Sequence, residues 1–135
     1  MPFELSILTP QGVAYSGTAD SVVLPGSEGD FGVLPSHERF LTPLRVGAVK
    51  ISAGAETVHA AVSTGFADVS GEAVAVLVDS CELSSEIDAT RAQEALSRAE
   101  SGLSGIAAGS DEARAQDFEA ALQRAKNRLE VSQLG

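Results

Sequence analysis

Residues 22–44 read VVLPGSEGDFGVLPSHERFLTPL. Three glycines (Gly26, Gly29, Gly32) and three prolines (Pro25, Pro35, Pro43) punctuate short apolar runs, and a glycine- and acid-rich GSEGD separates Val-Val-Leu from Phe-Gly-Val-Leu. Proline and glycine at this spacing break helices and permit sharp reversals, so the segment predicts a tight loop projecting from β-structure. The loop carries Glu28 and Asp30 and no Lys or Arg. That makes it a poor cradle for phosphate and a surface suited to touching another protein.

Outward from this stretch the β grammar continues on both sides. Phe3, Leu5 and Ile7 alternate with Glu4, Ser6 and Leu8, a period of two. Pro10-Gln11-Gly12 then reads as a turn. Strand-like runs follow at residues 18–24, 32–34, 39–41, 48–52, 56–63, 66–70 and 73–78, separated by Ala53-Gly54-Ala55, Thr64-Gly65 and Ser70-Gly71-Glu72. Short strands at close spacing predict an antiparallel sandwich or barrel, and the apolar run 74–78 predicts a central strand.

Near Glu82 the period changes. Ser85-Glu86-Ile87-Asp88 fits a capping box with Ser85 at the N-cap. Ala92, Leu96, Ala99 and Leu103 then recur at helical steps, and Phe118, Leu122, Ala125 and Leu129 repeat them after a second cap at Ser110-Asp111. The reading is an N-terminal sandwich over residues 1–84 followed by an antiparallel two-helix hairpin over 85–135. Alanines on the seam let the helices approach closely. So small a pair is marginal alone and leans on the sandwich or on a partner. The glycine-rich stretch 102–111 is expected to weaken the helix ends and loosen the hairpin.

Composition narrows the function. The chain has 135 residues, 44% of them apolar, and a formal charge of −10. The charge is uneven: residues 1–84 carry ten acids and three bases, residues 85–135 nine acids and six bases. So acidic a surface repels nucleic acid and anionic lipid. Cys81 is alone, which fits a reducing compartment and a buried, inert thiol. No apolar run approaches the ~20 residues of a membrane span, and the N-terminus has neither the basic flank of a signal peptide nor the character of a transit peptide. The expectation is a soluble cytosolic chain, without direct membrane insertion, that docks on a partner.

No catalytic constellation is legible. No Lys-Ser/Thr follows the glycines of LPGSEGDFG, as a P-loop requires. His37 and His59 lack companions for a zinc set, and no nucleophile elbow occurs. The basic residues of the tail are more informative. Arg91 and Arg98 lie near one face of the first helix, Arg124 and Arg128 on one face of the second. Folded back on each other, the helices would bring four guanidiniums together, an arrangement suited to a polyphosphate. The plainer alternative is helix pairing: Glu94 with Arg98, and Arg124 and Arg128 on a solvated face.

The segment 24–35, LPGSEGDFGVLP, resembles the signature of the epsilon subunit of the rotary proton-translocating ATP synthase, bacterial type, the counterpart of the mitochondrial delta subunit. His37, Leu41-Thr42, Gly47-Ala48-Val49, Gly65-Phe66-Ala67-Asp68-Val69, Val76-Leu77-Val78-Asp79, Ile87-Asp88-Ala89-Thr90-Arg91-Ala92 and Arg124-Ala125-Lys126-Asn127-Arg128-Leu129 follow in the family's order. The resemblance implies an N-terminal antiparallel β-sandwich of about ten strands with a C-terminal two-helix hairpin, and a non-catalytic rotor subunit of the central stalk, with no required cofactor, that couples proton-driven rotation of the c-subunit ring to ATP synthesis by binding the gamma subunit. It implies a peripheral place on the cytoplasmic side of a bacterial inner membrane. Glu28, Gly29, Asp30, Phe31 and His37 would contact the ring, with Glu28 and Asp30 pairing with its arginines or polar groups. Glu82, Ile87, Asp88, Arg91, Ala92, Arg98, Arg124 and Arg128 match positions that bind a regulatory ATP in some members, where an extended hairpin reaches the alpha/beta catalytic hexamer and blocks hydrolysis. Departures occur at Ser36 and at Glu38-Arg39, which alter local contacts near the ring. A reading of another class is a small β-sandwich binding module with a helical dimerisation hairpin. The absence of Trp and the single Tyr, Tyr15, deny it an aromatic platform.

Overall fold

The structure, a computed structural model, describes residues 2–34, 39–106 and 111–134. Ten strands come first: β1 (Phe3–Thr9), β2 (Gly12–Ala19), β3 (Ser21–Gly26), β4 (Gly29–Val33), β5 (Phe40–Leu44), β6 (Gly47–Ala53), β7 (Glu56–Val62), β8 (Gly65–Val69), β9 (Ala73–Val78) and β10 (Cys81–Leu83). A single 3-10 turn, Ser84–Glu86, leads to α1 (Ala89–Ser104) and α2 (Glu112–Ser132).

The strands form two five-stranded leaves, β10-β7-β6-β3-β4 and β5-β8-β9-β1-β2. At one corner β3 leaves β6 after Val23 and its last residue, Gly26, pairs with Leu44 of β5; at another, β8 and β9 run on into β7 and β10 through Asp79 N–H to Thr64 O at 3.2 Å and Ser63 N–H to Ser80 O at 3.1 Å. Alternation builds the core. Phe3, Leu5 and Ile7 of β1, Val74, Val76 and Val78 of β9, Val22 and Leu24 of β3, and Val49 and Ile51 of β6 are all buried in one cluster. The expected central strand is β9, third of five in its leaf. Among the described residues every pairing is antiparallel except one: β1 runs parallel to β9, with Glu4 opposite Ala73 and Leu8 opposite Leu77.

Two short or exposed strands were not read from the sequence. β2 is built from GVAYSGTA, small and polar, and lies at a leaf edge with one buried residue. β10 is three residues long.

The helix start differs from the capping box expected at Ser85. Ser84–Glu86 forms the 3-10 turn, in which Leu83 N–H donates to the Glu86 carboxylate at 3.2 Å. The α-helical N-cap is Asp88, whose Oδ1 accepts from Arg91 N–H at 3.1 Å. Asp111 caps α2 in the same way, accepting from Arg114 N–H at 3.0 Å. Ser110 lies outside the described residues.

The helices pack together through Ala92, Ala99 and Ala125, all buried. Of the glycine-rich stretch 102–111, residues 107–110 lie outside the described residues; Gly102 is described. It lies within α1 against the Phe118 ring, where a Cβ would come within 2.4 Å of the ring. As expected for a marginal hairpin, α2 leans on the sandwich, on β6, β7 and the 3-10 turn. Asn127 Nδ2 donates to Gly47 O at 2.8 Å, and Val131 is fully buried.

Candidate partner surfaces and the arginine cleft

Register across one leaf produces a surface that no single strand announces. Pro43 is opposite Phe66, Phe66 opposite Leu77, Leu77 opposite Leu8, and Leu8 opposite Val13. These five residues lie on the face away from the core and form an apolar row across β5, β8, β9, β1 and β2. Val13, Phe66 and Leu77 are 64%, 52% and 47% exposed. The next row along, Leu41, Asp68, Ala75, Ser6 and Ser16, is small and polar except for Leu41. A contiguous apolar strip beside a polar one marks a protein contact more than a solvated surface. Sequence reading missed it because each member alone is an ordinary exposed apolar residue.

The loop read first in the sequence is the tip of the β3–β4 hairpin. Leu24 is opposite Phe31, Pro25 opposite Asp30 and Gly26 opposite Gly29, leaving Ser27-Glu28 as a two-residue turn. Glu28 and Asp30 are exposed, while Phe31 packs its ring edge-on against Phe40 at 5.7 Å between centroids. Asp30 is not free: it forms an ion pair with Arg45 from the β5–β6 turn. His37 and Glu38 lie outside the described residues.

The third feature is a cleft of about 170 Å³ between hairpin and sandwich, with Glu82, Ser63, Ser80, Arg124, Asn127 and Arg128 among its lining. Glu82 sits on β10 opposite Ala61. Its carboxylate stands 3.6 Å from Arg128 Nη1, and Arg128 Nε is buried without an acceptor among the described residues. Of the eight residues matched to nucleotide contacts, the structure brings Glu82, Arg124 and Arg128 into this cleft. Ile87 ends the 3-10 turn, Asp88 caps α1, and Ala92 is buried in the helix seam. Arg91 and Arg98 are exposed on α1 and are not part of the cleft lining. Ion pairs among the described residues are Arg45–Asp30 and Arg128–Glu82, so Glu94 and Arg98 do not pair.

Cys81 adjoins this region on β10. Burial, with the Glu86 and Glu82 carboxylates added, pushes its thiol up to about 11 from the ordinary 9.0. No group of three or more His, Cys, Asp or Glu placed to hold a metal occurs among the described residues, and no helix there is long and apolar enough to cross a membrane.

Two family profiles match the chain end to end: "ATP synthase, Delta/Epsilon chain, beta-sandwich domain" over residues 2–84 and "ATP synthase, Delta/Epsilon chain, long alpha-helix domain" over residues 85–133. The chain is 47% identical over 128 residues to the ATP synthase epsilon chain of Nitratidesulfovibrio vulgaris (strain DP4), covering 95% of this chain and 93% of that one. It is 41% identical over 132 residues to the ATP synthase epsilon chain of Bacillus cytotoxicus, covering 98% and 97%. In fold it is similar to a chain in the cryo-EM structure of the Euglena gracilis mitochondrial ATP synthase, OSCP/F1/c-ring in rotational state 1, with a TM-score of 0.81 at 22% identity over 99% of this chain and 82% of that one.

Proposed function

Because the chain belongs to the delta/epsilon family of ATP synthase and is a non-catalytic subunit of that complex, we propose that it couples rotation by clamping the gamma subunit to the c-subunit ring within the central stalk. The apolar row from Pro43 to Val13 carries this reading. It is too apolar to remain solvated for the life of the protein, and it suits the permanent contact that a torque-bearing joint needs. The acidic β3–β4 tip suits the other partner, the polar loops of the ring, because charge there gives orientation and specificity. The two surfaces adjoin at Pro43, whose carbonyl accepts from Ser27 N–H of the tip at 3.1 Å, so one sheet serves both contacts. In this reading the chain is peripheral, on the cytoplasmic side of a bacterial inner membrane.

Co-assembly with gamma tests the assignment. Phe66→Ser or Leu77→Ser weakens gamma binding by about 2 kcal/mol, roughly thirty-fold in Kd, while Asp68→Asn on the neighbouring polar row leaves it unchanged. Equal binding by all three variants would remove the row from the gamma interface.

We further propose a regulatory role for the arginine cleft. Arg124 and Arg128, its Nε included, offer donors to a polyanion, with Glu82 the carboxylate such a ligand displaces from Arg128. At about 170 Å³ the cleft is smaller than the ~300–1,000 Å³ of ordinary small-molecule sites, so in this arrangement it takes a polyphosphate moiety rather than a whole nucleotide. ATP binding then involves movement of the hairpin, the same element that reaches the alpha/beta hexamer when released. Calorimetric titration of the purified chain with ATP is expected to show saturable binding that Arg124→Ala and Arg128→Ala each weaken. Silence up to millimolar ATP would leave the hairpin a purely mechanical part.

A further inference from the structure

The acidic tip is held by a residue from another turn of the chain. Arg45 N–H donates to Pro25 O at 2.9 Å, Ser27 N–H donates to Pro43 O at 3.1 Å, and the Arg45 guanidinium pairs with Asp30 while its Nη1 donates to Val46 O at 3.2 Å. Gly47 makes the approach possible: a Cβ there would meet Pro25 Cβ at 2.5 Å and Arg45 Nη1 at 2.9 Å. The β3–β4 tip and the β5–β6 turn are thus laced together at a corner where the two leaves join. The two tip carboxylates end in different situations. Asp30 points to Arg45. Glu28 sits in the two-residue turn, exposed and outside both ion pairs formed among the described residues.

We propose that Arg45 is the positioning residue of the tip: it holds Asp30 against the molecule's own surface, so that Glu28 is the carboxylate presented to a cationic group of the partner. This rests on the reading that the tip faces the c-subunit ring. An exposed ion pair contributes little energy, ~0–1 kcal/mol, so its effect lies in orientation more than in stability. A hairpin fixed before contact loses less freedom on binding, and its charge arrives at one place. The tip is then a rigid acidic point with one outward charge.

Two measurements separate this proposal from the reading beneath it. In the full chain, Arg45→Ala is expected to raise hydrogen exchange at the Ser27 and Arg45-position amides about two- to fivefold, and the exchanged pair Asp30→Arg with Arg45→Asp to restore protection. Unchanged exchange in Arg45→Ala, or no rescue by the exchanged pair, overturns the role of Arg45 and leaves the ring reading intact. With the rotor subcomplex of gamma and the c-subunit ring, Glu28→Gln is expected to weaken association and flatten its salt dependence, whereas Asp30→Asn keeps the salt dependence of the native chain. If Asp30→Asn flattens it as fully as Glu28→Gln, Asp30 is the presented charge and the proposal fails. If neither substitution alters affinity or salt dependence, the tip does not face the ring and both ideas fall together.

Discussion

Gly102 of α1 lies directly against the ring of Phe118 of α2, so close that a Cβ at residue 102 would stand 2.4 Å from the ring. Arg114 approaches the same ring, its guanidinium carbon 5.9 Å from the centroid. Two effects oppose each other at this glycine. Alanine improves intrinsic helix propensity by ~1 kcal/mol, whereas overpacking costs ~1–3 kcal/mol. Gly102→Ala therefore destabilises the hairpin by ~1 kcal/mol in the native background. With Phe118→Ala in place the clash is gone, and the same change stabilises by ~1 kcal/mol. Urea unfolding combined with hydrogen exchange in α1 measures both. The same sign in the two backgrounds would show that the contact has no energetic role.

The cap of α1 gives a sharper contrast. Asp88→Ala removes the acceptor for Arg91 N–H and costs ~1 kcal/mol. Ser85→Ala, inside the 3-10 turn, stays within ~0.5 kcal/mol. Equilibrium denaturation of the two variants decides between them. A larger loss at Ser85 would restore the capping box that the sequence suggested.

Asn127 joins hairpin to sandwich. Its amide donates to Gly47 O, and Asn127→Ala loses ~1 kcal/mol, a few-fold shift toward an undocked hairpin. Exchange should rise along α2 while amides of β1 and β9 keep their protection. Loss of protection in both regions at once would mean that hairpin and sandwich open together.

Cys81 provides the pH prediction. With its thiol pushed up to about 11, the thiolate is scarce at pH 8, and iodoacetamide should label the folded chain about a hundredfold more slowly than an unperturbed thiol. The unfolded chain, with the ordinary value of 9.0, releases this proton first as pH rises. The thiol's contribution to stability is therefore present below pH 9 and is lost as pH climbs through about 11. Cys81→Ala should remove that part of the alkaline decline. An unchanged decline would place its cause elsewhere.

Local pattern made much of this molecule readable. Alternation at Phe3, Leu5 and Ile7, the loop at Gly26–Gly29 and the helical steps through Ala92 and Ala125 each depend on near neighbours, and each appears where the sequence puts it. What was not legible depends on residues far apart in the chain. The apolar row needs the register of five strands. The Arg45–Asp30 pair is invisible until β5 is laid beside β3. The ring that fills the space beside Gly102 belongs to Phe118 on the other helix, a contact that propensity along α1 does not see. In the arginine cleft, helical spacing placed Arg124 and Arg128 together, but it could not show which face α2 turns to β7.

The parallel pairing of β1 with β9 has a bearing on how the chain matures. The first strand made can find β2 at once, but its other edge stays bare until β9 emerges, and only then can that leaf close. A pair so distant in sequence raises contact order, which slows folding, and an unpaired strand edge is open to mispairing. The sheet needs nothing beyond Leu83 to be complete, so the hairpin arrives last, on a finished platform. No strand pairing among the described residues uses a residue of either helix, so the ladder itself is the same whether the hairpin is docked or not.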